Sequence, residues 1–167
     1  MVRFSTLWAN HPTNLDNQLP CRTLGLPTHE NQCAIRMGIC LQKSGVLPAQ
    51  IRRIVTCGTH PPEDMHYLRA QELADALNGA SVEGISPAQR YTVPEQTSDF
   101  PNAIGGRTGI IYFKDYWTRK GETRASASGD HIDLWNGWRT SAKILLPWFY
   151  WLGGYDRSRE IWFWEVR

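Results

Sequence analysis

The sequence has no long hydrophobic run. Its longest mostly apolar stretch, 144–152, falls well short of the roughly 20 residues that a spanning helix needs. The first ten residues hold no apolar h-region, so no cleaved signal peptide is expected. Such a chain is expected to be made in the cytoplasm and, if exported, to leave by a route that needs no leader. It also lacks a block of like charge. Arg52-Arg53 and Arg119-Lys120 stand alone, and the formal net charge is only +2. That argues against dedicated nucleic-acid binding. It leaves open a surface that meets an anionic polymer.

Cysteine is scarce: Cys21, Cys33, Cys40 and Cys57, with none afterwards. No two are spaced as C-x-x-C, so no zinc pattern is read from them. Cys33 and Cys40 would lie about 10 Å apart along a helix, too far to bridge. His60 and His66, six apart, are not spaced as helical ligands. No metal site and no cofactor are therefore expected. Repeats and low-complexity tracts are absent too. With 167 residues, 41% of them hydrophobic and 20% charged, the chain reads as one globular domain over 1–167 that can bury its core unaided.

What is present is ordered by periodicity. Residues 1–28 are polar and turn-rich. In 29–45, Cys33, Met37, Cys40 and Leu41 fall on one helical stripe, which predicts a helix. A second is predicted over 61–78, opened by Pro61-Pro62 and stopped by Asn78-Gly79. Residues 81–102 read as loop. Residues 108–113 read as a buried strand, and 121–127 as a polar connection. In 131–135 strict alternation puts His131, Asp133 and Trp135 on one face, Ile132 and Leu134 on the other. Asn136-Gly137 signals a turn, 140–152 suggests a short helix broken by Pro147, and 160–166 a last strand. Helices followed by a strand meander imply an α+β fold, with N-terminal helices packed on an antiparallel sheet. Eight tryptophans fit either core packing or an aromatic groove.

Two residues stand out chemically. Cys33 sits near a helix N-terminus, where the unpaired N–H groups and the macrodipole favour a thiolate. Gln32 before it, or the Cys33 N–H, is a candidate oxyanion donor. His131 opens a strand after a Ser/Gly-rich turn. It reads either as a general base or as a hydrogen-bonded structural histidine. A thiol on a helix facing an imidazole on a strand is the papain-type pairing. The third, orienting group has several candidates. Asp133 lies on the same strand face two residues on, and Asn136, Asp156 and Glu165 are weaker. Asp133 is open to another reading, in which it pairs with Arg36 or Arg107 and braces the fold. His11 and His29 sit in turn or helix-entry positions. His29 is a candidate to line a cleft beside Cys33.

Four blocks carry a resemblance: NQCAIRMG around Cys33, GGRTGIIYF at 105–113, GDHIDLWNG around His131, and the ending IWFWEV. In that order they resemble the type VI secretion amidase effectors of the fourth family, antibacterial toxins with a papain-like fold related to NlpC-type cell-wall peptidases. The resemblance implies cleavage of peptidoglycan stem peptides between D-glutamate and meso-diaminopimelate, in the periplasm of a target bacterium. It implies delivery by the type VI secretion apparatus and a cognate immunity protein. It matches Cys33 to the nucleophile and His131 to the base. The family's aspartate after the histidine strand has no plain counterpart, because no acid lies between Asp133 and Asp156. The disulfide-bonded loop of some members is also excluded. Under this reading Lys114, Asp115 and Arg119 would sit in a loop near the ionic groups of diaminopimelate. Two other readings accompany it: a papain-like hydrolase of another amide, deamidase or peptidase, and a non-catalytic cell-wall-binding module.

Overall fold

Alternation of apolar side chains sets the architecture in the computed structural model, which describes residues 1–92, 99–141 and 155–167. In the strand over 109–117, Ile110 and Tyr112 belong to one buried cluster and Ile111 and Phe113 to another, so both faces of the sheet must be covered. The described strands of the main sheet are β3 (Gln89–Tyr91), β4 (Gly109–Trp117), β5 (Gly129–Trp135) and β6 (Glu160–Glu165). They run in the order β3-β6-β4-β5, with every pair antiparallel. Ile110, Tyr112, Ile132, Leu134, Trp162 and Trp164 pack against α2 (Cys33–Lys43) and α3 (Ala70–Gly79). Ile111, Phe113, Trp135, Ile161 and Phe163 pack around a short α4 (Phe100–Ala103) and Tyr155. The fold is α+β, as the order of elements in the sequence implies.

α2 is the central helix. Its Ala34, Met37 and Leu41 join the sheet core, while Ile35 and Ile39 join a separate cluster with Cys21 and Cys57. α1 (Phe4–Asn10) lies alongside, and the Cys40 thiol reaches the Leu7 carbonyl at 3.2 Å. A small hairpin of β1 (Arg22–Thr23) and β2 (Leu26–Pro27) precedes α2. Gly38 is required where α2 is crossed by the chain at Met65: a Cβ there would lie 1.9 Å from the Met65 carbonyl oxygen.

That crossing corrects the helix predicted over 61–78. A 3₁₀ turn (Pro62–Asp64) ends at Met65, whose φ of 54° is left-handed, and α3 begins only at Ala70. Between them the backbone pairs sideways. Cys57 N–H donates to the His66 carbonyl and Leu68 N–H to the Val55 carbonyl, and Thr56 bridges Tyr67. These bonds satisfy the amides that a continuous helix would have used. The loop read over 81–102 likewise contains β3 and the start of α4. The strand read over 108–113 continues to Trp117 through a bulge at Asp115, φ 52°. The helix suggested for 140–152 lies almost wholly outside the described residues. Of the tryptophans, Trp135, Trp162 and Trp164 are core residues rather than groove walls.

Candidate active site

Among the described strands β5 lies at the edge of the sheet beside β4, with the N-terminus of α2 packed near it. The Cys33 thiol lies near the His131 ring and the Ile132 N–H, and both favour its thiolate. His131 Nε2 stands 3.3 Å from Asp133 Oδ2, which leaves Nδ1 as the nitrogen for Cys33. The ring is boxed by Phe113, Tyr116 and Tyr155, with centroids 6.4, 6.1 and 6.0 Å away. All three members of the line are buried, Cys33 at 5%, His131 at 8% and Asp133 at 2% exposure.

Asp133 is held from several sides. Its Oδ1 accepts from its neighbour's amide, Leu134 N–H, at 2.8 Å and from the Ser141 hydroxyl, and His11 Nε2 lies 3.5 Å away. Ser141 Oγ also meets His11 Nδ1 at 3.1 Å. His11 is the residue that sequence reasoning passed over. It lies 120 or more positions from its partners, and no spacing signal connects them. Neither arginine considered for Asp133 pairs with it in the bonds seen: Arg36 donates to the Gln18 carbonyl and Arg107 pairs with Glu165.

The electrostatics follow from this packing. Burial opposes the thiolate of Cys33, but the His131 hydrogen bond and charge, the Ile132 N–H and Arg36 outweigh it and lower the thiol pKa. Burial likewise opposes the imidazolium of His131, yet Asp133 and Cys33 raise its pKa to about 9. Asp133 is held well below the carboxylate range against its own burial by His131, His11 and Ser141. His11 moves the other way. Burial pushes it down to about 4 despite Asp133, so it is neutral near pH 7. These directions favour a thiolate–imidazolium pair steadied by a carboxylate.

The remaining candidates separate cleanly. Gln32 is not available as an oxyanion donor: its Oε1 accepts from Cys21 N–H at 2.8 Å and its Nε2 donates to the Cys21 and His29 carbonyls, both at 3.0 Å. The Cys33 N–H donates to Asn31 Oδ1 at 3.2 Å. Asn136 is a turn residue, its Oδ1 accepting from the Trp138 and Arg139 amides. Glu165 lies on β6, beyond β4 from the histidine, and pairs with Arg107 and Arg167. Asp156 falls in the turn Tyr155–Arg157, and its side chain lies outside the described residues. Lys114 and Asp115 are strand residues tied to Glu160 and Arg159.

Cys33 opens into a cleft of about 600 Å³ walled by His29, Glu30, Asn31, Arg69, Trp117, Arg119 and Asp130. Trp117 leans on Gly129, where a Cβ would fall 2.3 Å from the indole, so only glycine lets the ring close this wall. Its Nε1 donates to the Asp130 carbonyl at 3.2 Å.

A thiol at the wall of an open cleft, with an imidazole and a buried carboxylate behind it, sits in an α+β fold. The family model for type VI secretion system amidase effector protein 4, Tae4, matches residues 29–164. The chain belongs to that family of amidase effectors. Among solved structures it is similar to the type VI effector Tae4 from Enterobacter cloacae, with a TM-score of 0.59, 16% identity, and coverage of 100% of this chain and 98% of that one. It is also similar to the effector Tae4 from Salmonella typhimurium, solved in complex with the immunity protein Tai4 from Enterobacter cloacae: TM-score 0.60, 17% identity, 99% of each chain. A selenomethionine variant of the Salmonella typhimurium Tae4/Tai4 system gives a TM-score of 0.59 at 18% identity, covering 100% and 99%. The fold is theirs. Curated proteins gave no match.

Proposed function

We propose that this chain is a cysteine-dependent peptidoglycan amidase that cleaves the γ-D-glutamyl–meso-diaminopimelate bond of stem peptides in the periplasm of a target bacterium. The observation that carries the reading is the buried line Cys33, His131, Asp133, whose thiol end lines the cleft, in a chain of the amidase-effector family. The Cys33 thiolate attacks the amide carbon. The His131 imidazolium gives its proton to the departing amine, leaving an acyl-thioester. Water, deprotonated by His131, then attacks the thioester and releases the new carboxylate and the thiol. Asp133 orients His131 and steadies its charge. In the attack the Cys33 N–H would exchange Asn31 Oδ1 for the developing oxyanion.

The cleft walls support this substrate. Arg69 and Arg119 suit the carboxylates of a stem peptide, and Glu30 and Asp130 the free ammonium of diaminopimelate. In this reading the type VI apparatus delivers the enzyme, and a cognate immunity protein covers the cleft in the producing cell, as the Tai4 complex of the Salmonella effector suggests. Mass spectrometry of muropeptides tests it. The wild type should convert tetrapeptides into free dipeptide-bearing fragments, and Cys33→Ala and His131→Ala should fold and leave them intact. Full turnover by Cys33→Ala would defeat the proposal.

A further inference from the structure

A second cluster of reactive side chains lies on the opposite side of α2 and takes no part in the chemistry above. Cys21 follows the polar N-terminal segment, and Cys57 and His60 belong to the loop ahead of the 3₁₀ turn Pro62–Asp64. The fold brings the three together: their ligand atoms all lie within 4.8 Å of one another. Cys21 Sγ is 3.5 Å from Cys57 Sγ and 3.6 Å from His60 Nδ1. Those separations suit one ion. In a tetrahedron with Zn–S near 2.3 Å and Zn–N near 2.0–2.1 Å, two sulfurs lie about 3.8 Å apart, and a sulfur and a nitrogen about 3.6 Å.

We propose that Cys21, Cys57 and His60 hold a zinc ion. Two thiolates and an imidazole are the soft donor set that favours zinc over harder cations. Cys57-Gly58-Thr59-His60 has the two-residue ligand spacing that a search restricted to cysteine pairs passes over.

The surroundings are those of a built site. The Thr28 hydroxyl is 2.8 Å from Cys21 Sγ and the Thr59 hydroxyl 3.1 Å from Cys57 Sγ, contacts that orient ligands and spread thiolate charge. The His66 ring lies tilted against His60, with centroids 4.1 Å apart. Both sulfurs are buried against Ile35 and Ile39 of α2. The ion would clamp the hairpin segment to the loop at 57–60. Because Gln32 grips both the amide and the carbonyl of Cys21, the clamp would also brace the residue that precedes the nucleophile.

The test is independent of the amidase reading. The full chain carrying Cys33→Ala, so that the nucleophile takes no metal, is purified under reducing conditions without chelator, and zinc is counted by plasma mass spectrometry. About one zinc per chain is expected. Adding Cys57→Ser or His60→Ala should remove most of it. Should those variants fail to fold, the parent decides alone. Stripped and titrated with cobalt(II) chloride, it should show thiolate charge-transfer absorption and the intense visible bands of a tetrahedral site. A parent with neither zinc nor a cobalt spectrum would overturn the proposal. So would zinc content unchanged by both substitutions, or a Cys21–Cys57 disulfide in a protein that takes up no metal after reduction.

Discussion

Replacing Asp133 by Asn probes the site most directly, because it keeps the shape and removes the charge. His131 is raised from 6.5 to about 9 even though burial works against it. That shift is worth about 3 kcal/mol in favour of the imidazolium, at 1.36 kcal/mol per unit. Asp133 and Cys33 share it. With Asn at 133, the Leu134 amide keeps an acceptor, but the negative charge beside His131 is gone. Its pKa should fall by about 1–2 units, on the assumption that Asp133 supplies roughly half of the effect. The active thiolate–imidazolium pair exists between the Cys33 and His131 pKa values, so the alkaline limit of kcat/KM should move down from near pH 9 by that amount. Loss of orientation should lower kcat by about 10²–10⁴-fold. The assay is hydrolysis of purified muropeptide from pH 5 to 10, with circular dichroism to confirm folding. A rate within about threefold of wild type and an unmoved alkaline limb would refute the role given to Asp133. If Asp156→Asn produced the effects instead, the orienting carboxylate would be that residue.

Other outcomes follow from the same geometry. His11 is lowered from 6.5 to about 4, so the unfolded chain binds more protons between those values. Its contribution is complete above pH 6.5 and is lost as pH falls towards 4. Urea melts at pH 7 and 4.5 should show a drop of order 3 kcal/mol, diminished in His11→Gln. His131 has the opposite sign: its contribution is full below 6.5 and lost as pH rises through about 9, so His131→Gln should flatten the alkaline fall in thermal stability. Gly38→Ala drives a methyl into the Met65 carbonyl and should cost about 1–3 kcal/mol by denaturant unfolding. Gln32→Ala should act as a loop mutation, lowering the melting temperature more than it lowers kcat, because its amide is spent on Cys21 and His29. A large kcat loss with unchanged stability would restore it as an oxyanion donor.

How much of this was legible in the residues depends on the range of the interaction. The α2 helix, the alternation on β5 and the last strand follow from local periodicity, because the 3.6- and 2-residue repeats are properties of the backbone itself. The pairing of Cys33 with His131 was readable as a residue-type pattern and as a family resemblance, and the folded chain brings the two side chains together. The oxyanion role given to Gln32 did not survive, since nothing local reveals that its amide is bound to Cys21. The helix over 61–78 failed for a similar reason: cross-chain bonds at residues 55–57 outbid a sound local signal.

By itself the sequence determined the α+β class, the helix that carries the thiol and the strand that carries the imidazole. Only the tertiary structure decided which acid faces that imidazole, that His11 and Ser141 hold this acid in place, and that Cys21, Cys57 and His60 converge. Each of these rests on residues distant in the chain that share a few ångströms of space, and chain closure over such distances leaves no period or spacing to read. It depends on where the two faces of a doubly buried sheet and one central helix direct the segments around them.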